Sequence, residues 1–96
     1  MAIQSFQLDP NAGGGAVIKA GSIITDNGGS ATVVFSTPMP NTNYVVELTA
    51  IDGSAAIIPM WNNKTTSGFG IKTENDKGAT YGLANVDWAI MPYSNT

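Results

Sequence analysis

The sequence predicts an all-β protein, an antiparallel β-sandwich of six or seven strands. Short runs rich in β-branched and aromatic residues recur about every ten residues, each bounded by Gly, Asn, Asp or Pro. No stretch carries the spacing of apolar residues that a helix needs. Charged residues are few, at 11%, and Gly, Asn, Ser and Thr supply most of what is not apolar. That composition suits many short strands joined by turns.

A chain of 96 residues is one domain with a small core, burying only about two-thirds of its unfolded surface. Cysteine and histidine are both absent, so neither a disulfide nor a metal centre built on their side chains reinforces it. Oligomerisation is the remaining common route to stability. Lys19, Lys64, Lys72 and Lys77 are the four cations and the net charge is −3. Nucleic acid is therefore disfavoured as a partner, because neutralising phosphates takes clustered Lys or Arg. No apolar window is long enough to span a membrane as a helix. The first residues lack the basic and apolar regions of a signal peptide, so the chain is expected to begin at Met1.

The elements follow in order. Ala2 to Leu8 alternates weakly and runs into Asp9-Pro10-Asn11-Ala12-Gly13-Gly14-Gly15. Three consecutive glycines lose too much backbone entropy to sit in a regular strand, so they read as a linker. Residues 1–15 are expected to form an arm and linker, with Ile3, Phe6 and Leu8 as its attachment residues, and residues 16–96 the sandwich. Ala16 to Thr25 precedes Asp26-Asn27-Gly28-Gly29-Ser30, whose glycines accept positive φ, and a hairpin joining Ile23–Thr25 to Thr32–Phe35 is expected. Pro38 and Pro40 end that strand, since neither can donate to a ladder.

Tyr44 to Ile51 has the clearest alternation, with Tyr44, Val46, Leu48 and Ala50 expected on the core side. Ala55 to Trp61 gives a further strand, and Pro59 within it points to an edge or a bulge. Asn62-Asn63-Lys64 reads as a turn. Phe69 to Glu74 follows, with Phe69 and Ile71 inward, and Asn75-Asp76-Lys77-Gly78 is a solvated turn. A last strand is expected from about Tyr81 to Met91, with Ala84, Val86, Trp88 and Ile90 on one face. Several runs are apolar on both faces. Val34, Val45, Ile58 and Met60 are the outer positions expected to be covered by another subunit, although scattered apolar residues on a surface are also normal.

Three pieces then line up in order: Thr32-Val33-Val34-Phe35-Ser36-Thr37-Pro38-Met39-Pro40 with Tyr44-Val45-Val46, Thr66-Ser67-Gly68-Phe69-Gly70-Ile71, and Val86-Asp87-Trp88-Ala89-Ile90. Over roughly residues 22–93 this pattern resembles the H-type lectin domain and the similar domains at the tips of bacteriophage tail fibres. The resemblance implies a six-stranded, H-type lectin-like sandwich that trimerises and binds surface glycans. In snail-type members the sugar is held by an aromatic and a histidine before the last strand, with an arginine and an aspartate elsewhere. Here the corresponding loop is Asn75-Asp76-Lys77-Gly78-Ala79-Thr80, without aromatic or histidine, and the chain has no arginine.

Trp88 and Phe69 fall on inward stripes and are expected in the core. Trp61 stands beside Asn62 and Asn63, and an aromatic next to amides suits a saccharide, whose C–H groups pack on the ring while the amides bond its hydroxyls. The same ring in the same place also serves to cap a sandwich end or to pack at a subunit contact. Trp61, Asn62, Asn63 and Tyr81 are the candidate glycan residues, with Tyr81, like Tyr93, weaker than Trp61. Glu74, Asn75 and Asp76 lack the spacing of a calcium loop. Asp52 and Asp87 have no partner that would make a catalytic pair. No catalytic, cofactor-binding or metal-ligating residue is assigned, and enzymatic activity is not expected.

The function these observations imply is that of a non-enzymatic bacteriophage virion protein, on tail fibre or capsid surface. It would be made in the bacterial cytoplasm, form a homotrimer, attach through its arm to a larger virion protein and bind a host-surface glycan. A structural cement or tail-assembly protein with no ligand, and a free lectin, are the alternatives.

Overall fold

The computed structural model describes residues 18–51 and 56–93. Ile3, Phe6, Leu8 and the rest of the arm and linker lie outside the described residues, as does Asp52. The described residues form six strands and no helix: β1 (Lys19–Ile24), β2 (Ser30–Val34), β3 (Tyr44–Ile51), β4 (Ile58–Thr65), β5 (Gly68–Glu74) and β6 (Asn85–Pro92). They make two three-stranded antiparallel sheets, ordered β1-β6-β3 and β2-β5-β4. Tyr44, Val86 and Ile90 of one sheet and Val33, Phe69 and Ile71 of the other join Phe35 and Met39 in a single core. The sheets thus stack face to face, β1 over β2 and β3 over β4.

The expected hairpin between the first two strands does not form. β1 pairs with β6 and β2 with β5, so the turn between them is a corner from one sheet to the other. The turn chemistry itself is as read: the Asp26 carboxylate accepts from the backbone N–H groups of Gly28 and Ser30 at 2.8 and 3.0 Å. Such a turn reverses the chain without requiring that the flanking strands share a ladder. β3 has the expected bounds and its inward set is more buried than its outward set. β4 extends through Asn62, Asn63 and Lys64, which are strand residues and not a turn; a bulge between Asn62 and Thr65, with Asn63 at φ 50°, absorbs the irregularity. β4 is an edge strand, where Pro59 leaves no ladder donor missing. The last strand starts at Asn85, later than expected: Leu83, at φ 57°, donates its N–H to the Asp26 carbonyl at 3.0 Å and bends the chain before β6.

Connections at one end of the sandwich therefore hold the Asp26–Gly29 and Asn75–Gly78 turns. At the other end lie the β2–β3 crossing, residues 35–43, and the tight β4–β5 turn at Thr66-Ser67.

Candidate functional site

Alternation along β4 divides the candidate residues between the two sides of its sheet. Trp61 pairs with Ile71, whose side chain is in the core, so Trp61 belongs to the inner side at the sheet's open edge. Asn62 pairs with Gly70 and belongs to the outer face. Tyr81 is held elsewhere, its N–H donating to the Thr73 carbonyl at 3.0 Å and its carbonyl accepting from the Thr73 hydroxyl at 2.6 Å. The four residues therefore do not form one site.

Trp61 is 46% exposed, and the cation near its ring is the protein's own. The Lys64 ammonium lies 5.0 Å from the ring centre of Tyr44, 5.1 Å from that of Trp61 and 5.3 Å from that of Tyr93. It donates to the Tyr44 carbonyl at 2.8 Å and to the Tyr93 hydroxyl at 3.3 Å. No carboxylate among the described residues pairs with it. Negative ring faces take the place of a counter-ion. Trp61 is here part of a cap on the sandwich edge. Sequence reasoning missed Lys64 in this role, because two of the three rings come from distant strands or their ends.

On the outer face of β2-β5-β4 a trough of about 510 Å³ runs over Gly68 and Gly70. Its walls include Thr32 and Val34 from β2 and Asn62, Asn63 and Thr65 from β4, and no charged residue lines it. Register explains the shape, since Gly70 sits between Thr32 and Asn62, and Gly68 between Val34 and Thr65. A central strand without side chains leaves a channel between two walls that have them. The Asn62 side chain leans across Gly70: a Cβ there would fall 2.3 Å from Asn62 Oδ1. That oxygen accepts from Asn63 Nδ2 at 3.2 Å. The volume is within the usual range for small-ligand sites, and hydroxyls and amides around an uncharged floor suit a neutral, polyhydroxylated ligand.

The expected interface residues are also divided. Val34, Ile58 and Met60 lie on this outer face with the trough, whereas Val45 lies on the outer face of β1-β6-β3. Val34 is 74% exposed and Ile58 is also exposed; Val45 and Met60 are half-buried. The face with Val45 further presents Ile24, Ile51 and Met91, all exposed and absent from the expected set.

Asn75 spends its side-chain oxygen within its own turn, accepting from the N–H groups of Lys77 and Ala79 at 2.8 and 3.0 Å. Among the described residues no group of three or more acidic, His or Cys side chains converges. Asp87 lies on the outer face of β6 between Ser22 and Thr49.

No protein-family model matches the chain, and no curated protein matches it.

Proposed function

We propose that the protein is a non-enzymatic, H-type lectin-like module of a bacteriophage virion surface. In this reading it is displayed as a trimer, attached through residues 1–15 to a larger virion protein, and binds a host-surface glycan. The observation that carries the reading is the uncharged trough over Gly68 and Gly70, walled by Thr32, Asn62, Asn63 and Thr65. Hydroxyls on the β2 side and the Asn62 and Asn63 amides on the β4 side can bond successive sugar hydroxyls across the channel. The motifs in residues 22–93 support the lectin-like type, and the exposed Ile24, Ile51 and Met91 support burial of the opposite face in an oligomer.

The test is a screen against neutral glycans with the wild type and with Thr32→Val and Asn62→Ala, both at exposed positions. Binding should weaken about tenfold in each variant, as expected for loss of roughly one well-placed hydrogen bond. A wild type that binds no neutral glycan, or variants that bind unchanged, rejects the trough. Light scattering of the same sample should give a trimer mass, and a monomer mass rejects that part of the reading.

A second reading, a structural cement with no ligand, is favoured by the same exposed apolar face, which a neighbouring virion protein would cover. Particles lacking the protein would then lose stability while host attachment stayed intact.

A further inference from the structure

A second cavity, of about 460 Å³, opens at the end of the sandwich where β3 begins and β6 ends. It lies between Met39, Pro40, Asn41 and Asn43 on one side and Pro92 and Tyr93 on the other. Met39 is buried, whereas Tyr93 is 59% exposed. The Tyr93 backbone N–H donates to the Asn43 carbonyl at 2.9 Å, and its hydroxyl accepts from Lys64 Nζ at 3.3 Å, so the ring is held at both ends. Asn41 Oδ1 accepts from the Asn43 N–H at 2.8 Å, which orients that amide and leaves its NH₂ group to donate outward.

None of the cavity's lining residues is ionisable at neutral pH, and Lys64 stands against Tyr93. Two of the ammonium's three N–H groups go to the Tyr44 carbonyl and the Tyr93 hydroxyl, and the third has no acceptor among the described residues. An ammonium that has ring faces but no carboxylate keeps its formal charge and one N–H to give, so an anion that reaches it gains a charge-assisted hydrogen bond.

We infer that this end cavity binds a saccharide residue that carries a carboxylate, of the uronic acid type. The sugar ring packs on Tyr93 and the prolines, its hydroxyls bond Asn41 and Asn43, and the carboxylate turns toward Lys64. The inference rests on the reading of the protein as a glycan binder but assigns a different site, and an acidic ligand, from the neutral trough.

The experiment is an amide NMR titration of the whole protein with methyl glucuronoside and, separately, methyl glucoside. The glucuronoside should shift the backbone and side-chain amides of Asn41 and Asn43 and the amide of Tyr93, with at least about tenfold weaker shifts from the neutral sugar and a loss of affinity as salt rises. Asn41→Asp keeps the acceptor for the Asn43 N–H but places a negative charge beside the site, and should abolish the glucuronoside shifts. Lys64→Gln should weaken them likewise. Equal shifts from both sugars, no shift up to about 10 mM, or glucuronoside shifts unchanged in Asn41→Asp would overturn the end cavity. Glucuronoside shifts that persist while neutral glycans fail to bind the trough leave this inference standing and reject only the other; shifts confined to Thr32 and Asn62 do the reverse.

Discussion

The two ends of the sandwich are closed by different chemistry. Where β3 begins, Phe35, Tyr44, Phe69 and Trp88 meet with ring centres about 6 Å apart, at 5.8 to 6.1 Å, mostly edge to face. Lys19 lies over Phe35 at 5.6 Å and Lys64 over Tyr44, so a lysine closes each side. At the opposite end the corresponding place is taken by hydroxyls. Thr25 and Thr73 are both buried, with their oxygens 3.2 Å apart. One hydroxyl carries one proton, and the 2.6 Å contact to the Tyr81 carbonyl claims that of Thr73. Thr25 then donates to Thr73 while accepting from the Ala84 N–H at 2.9 Å. This chain ties β1, β5 and the irregular approach to β6 together. A large apolar cluster tolerates adjustment, whereas a hydrogen-bonded chain fails at any missing link.

The sharpest way to break the ring-closed end is at its backbone hinge, not at a ring. Gly68 has φ +154°, and a Cβ on it would fall 1.9 Å from the Val33 carbonyl oxygen. Gly68→Ala must displace β2 from β5 just where Phe35 and Phe69 stack. We expect a loss of about 3 kcal/mol, a large share of the roughly 5–14 kcal/mol that a domain of this size has. It should be read from the urea midpoint at unchanged slope. A loss below about 1 kcal/mol would mean that the sheet adjusts there and that the hinge is not what holds this end.

The hydroxyl-closed end should break at Thr73. Thr73→Val keeps the shape but removes the hydrogen bond to the Tyr81 carbonyl and the oxygen that the buried Thr25 hydroxyl bonds, a cost of about 2 kcal/mol. Thr73→Ser, which keeps the hydroxyl, should recover most of the hydrogen-bonded part. If Val and Ser variants are equally stable in urea titrations, the end is held by packing and the contrast between the two ends disappears.

Much of this layout was legible in the sequence, and the illegible parts share a cause. β3 and β5 were readable because one period of two, with Tyr44, Val46 and Leu48, and Phe69 and Ile71, on the inner side, explains the burial. Val86, Trp88 and Ile90 were readable for the same reason. The partner of β1 was not: Asn27-Gly28-Gly29 specifies a reversal, but only the distant β6 offers the strand that Ile23 and Gly21 pair with. Asn62–Lys64 looked like a turn because amides dominate it, yet pairing with β5 holds it in a strand. Trp61 and Asn62 looked like one glycan site because they are neighbours in sequence, and neighbours on a strand face opposite ways. Nothing near Lys64 reports that Tyr44 and Tyr93 would surround it. The trough was not legible either, because it depends on the register that sets Gly70 between Thr32 and Asn62 and Gly68 between Val34 and Thr65.

The ring-closed end has one polar pin of its own, and pH isolates it. The Tyr44 hydroxyl donates into the β4–β5 turn, 2.7 Å from the Thr65 carbonyl and 3.1 Å from that of Gly68. Burial raises its phenol above the ordinary value of 10.0. An unfolded tyrosine loses its proton near that ordinary value, whereas the folded one keeps it, so above pH 10 the native state binds more protons than the unfolded state. Stability therefore falls as pH rises, with full contribution below 10 and loss as pH climbs through the raised folded value. The slope of this contribution cannot exceed about 1.4 kcal/mol per pH unit, the limit for one proton. Tyr44→Phe removes the titrating group together with the pin. At neutral pH it should cost only about 1 kcal/mol, because the Thr65 hydroxyl, 3.2 Å from the Gly68 carbonyl, still serves that acceptor. The difference between wild-type and Tyr44→Phe urea midpoints, followed from neutral pH to beyond 10, separates Tyr44 from every other titrating group. It should be constant up to about pH 10 and then narrow. A difference that stays constant into the alkaline range would mean that the phenol ionises alike in both states, and the pin would then be no more buried than an ordinary surface tyrosine.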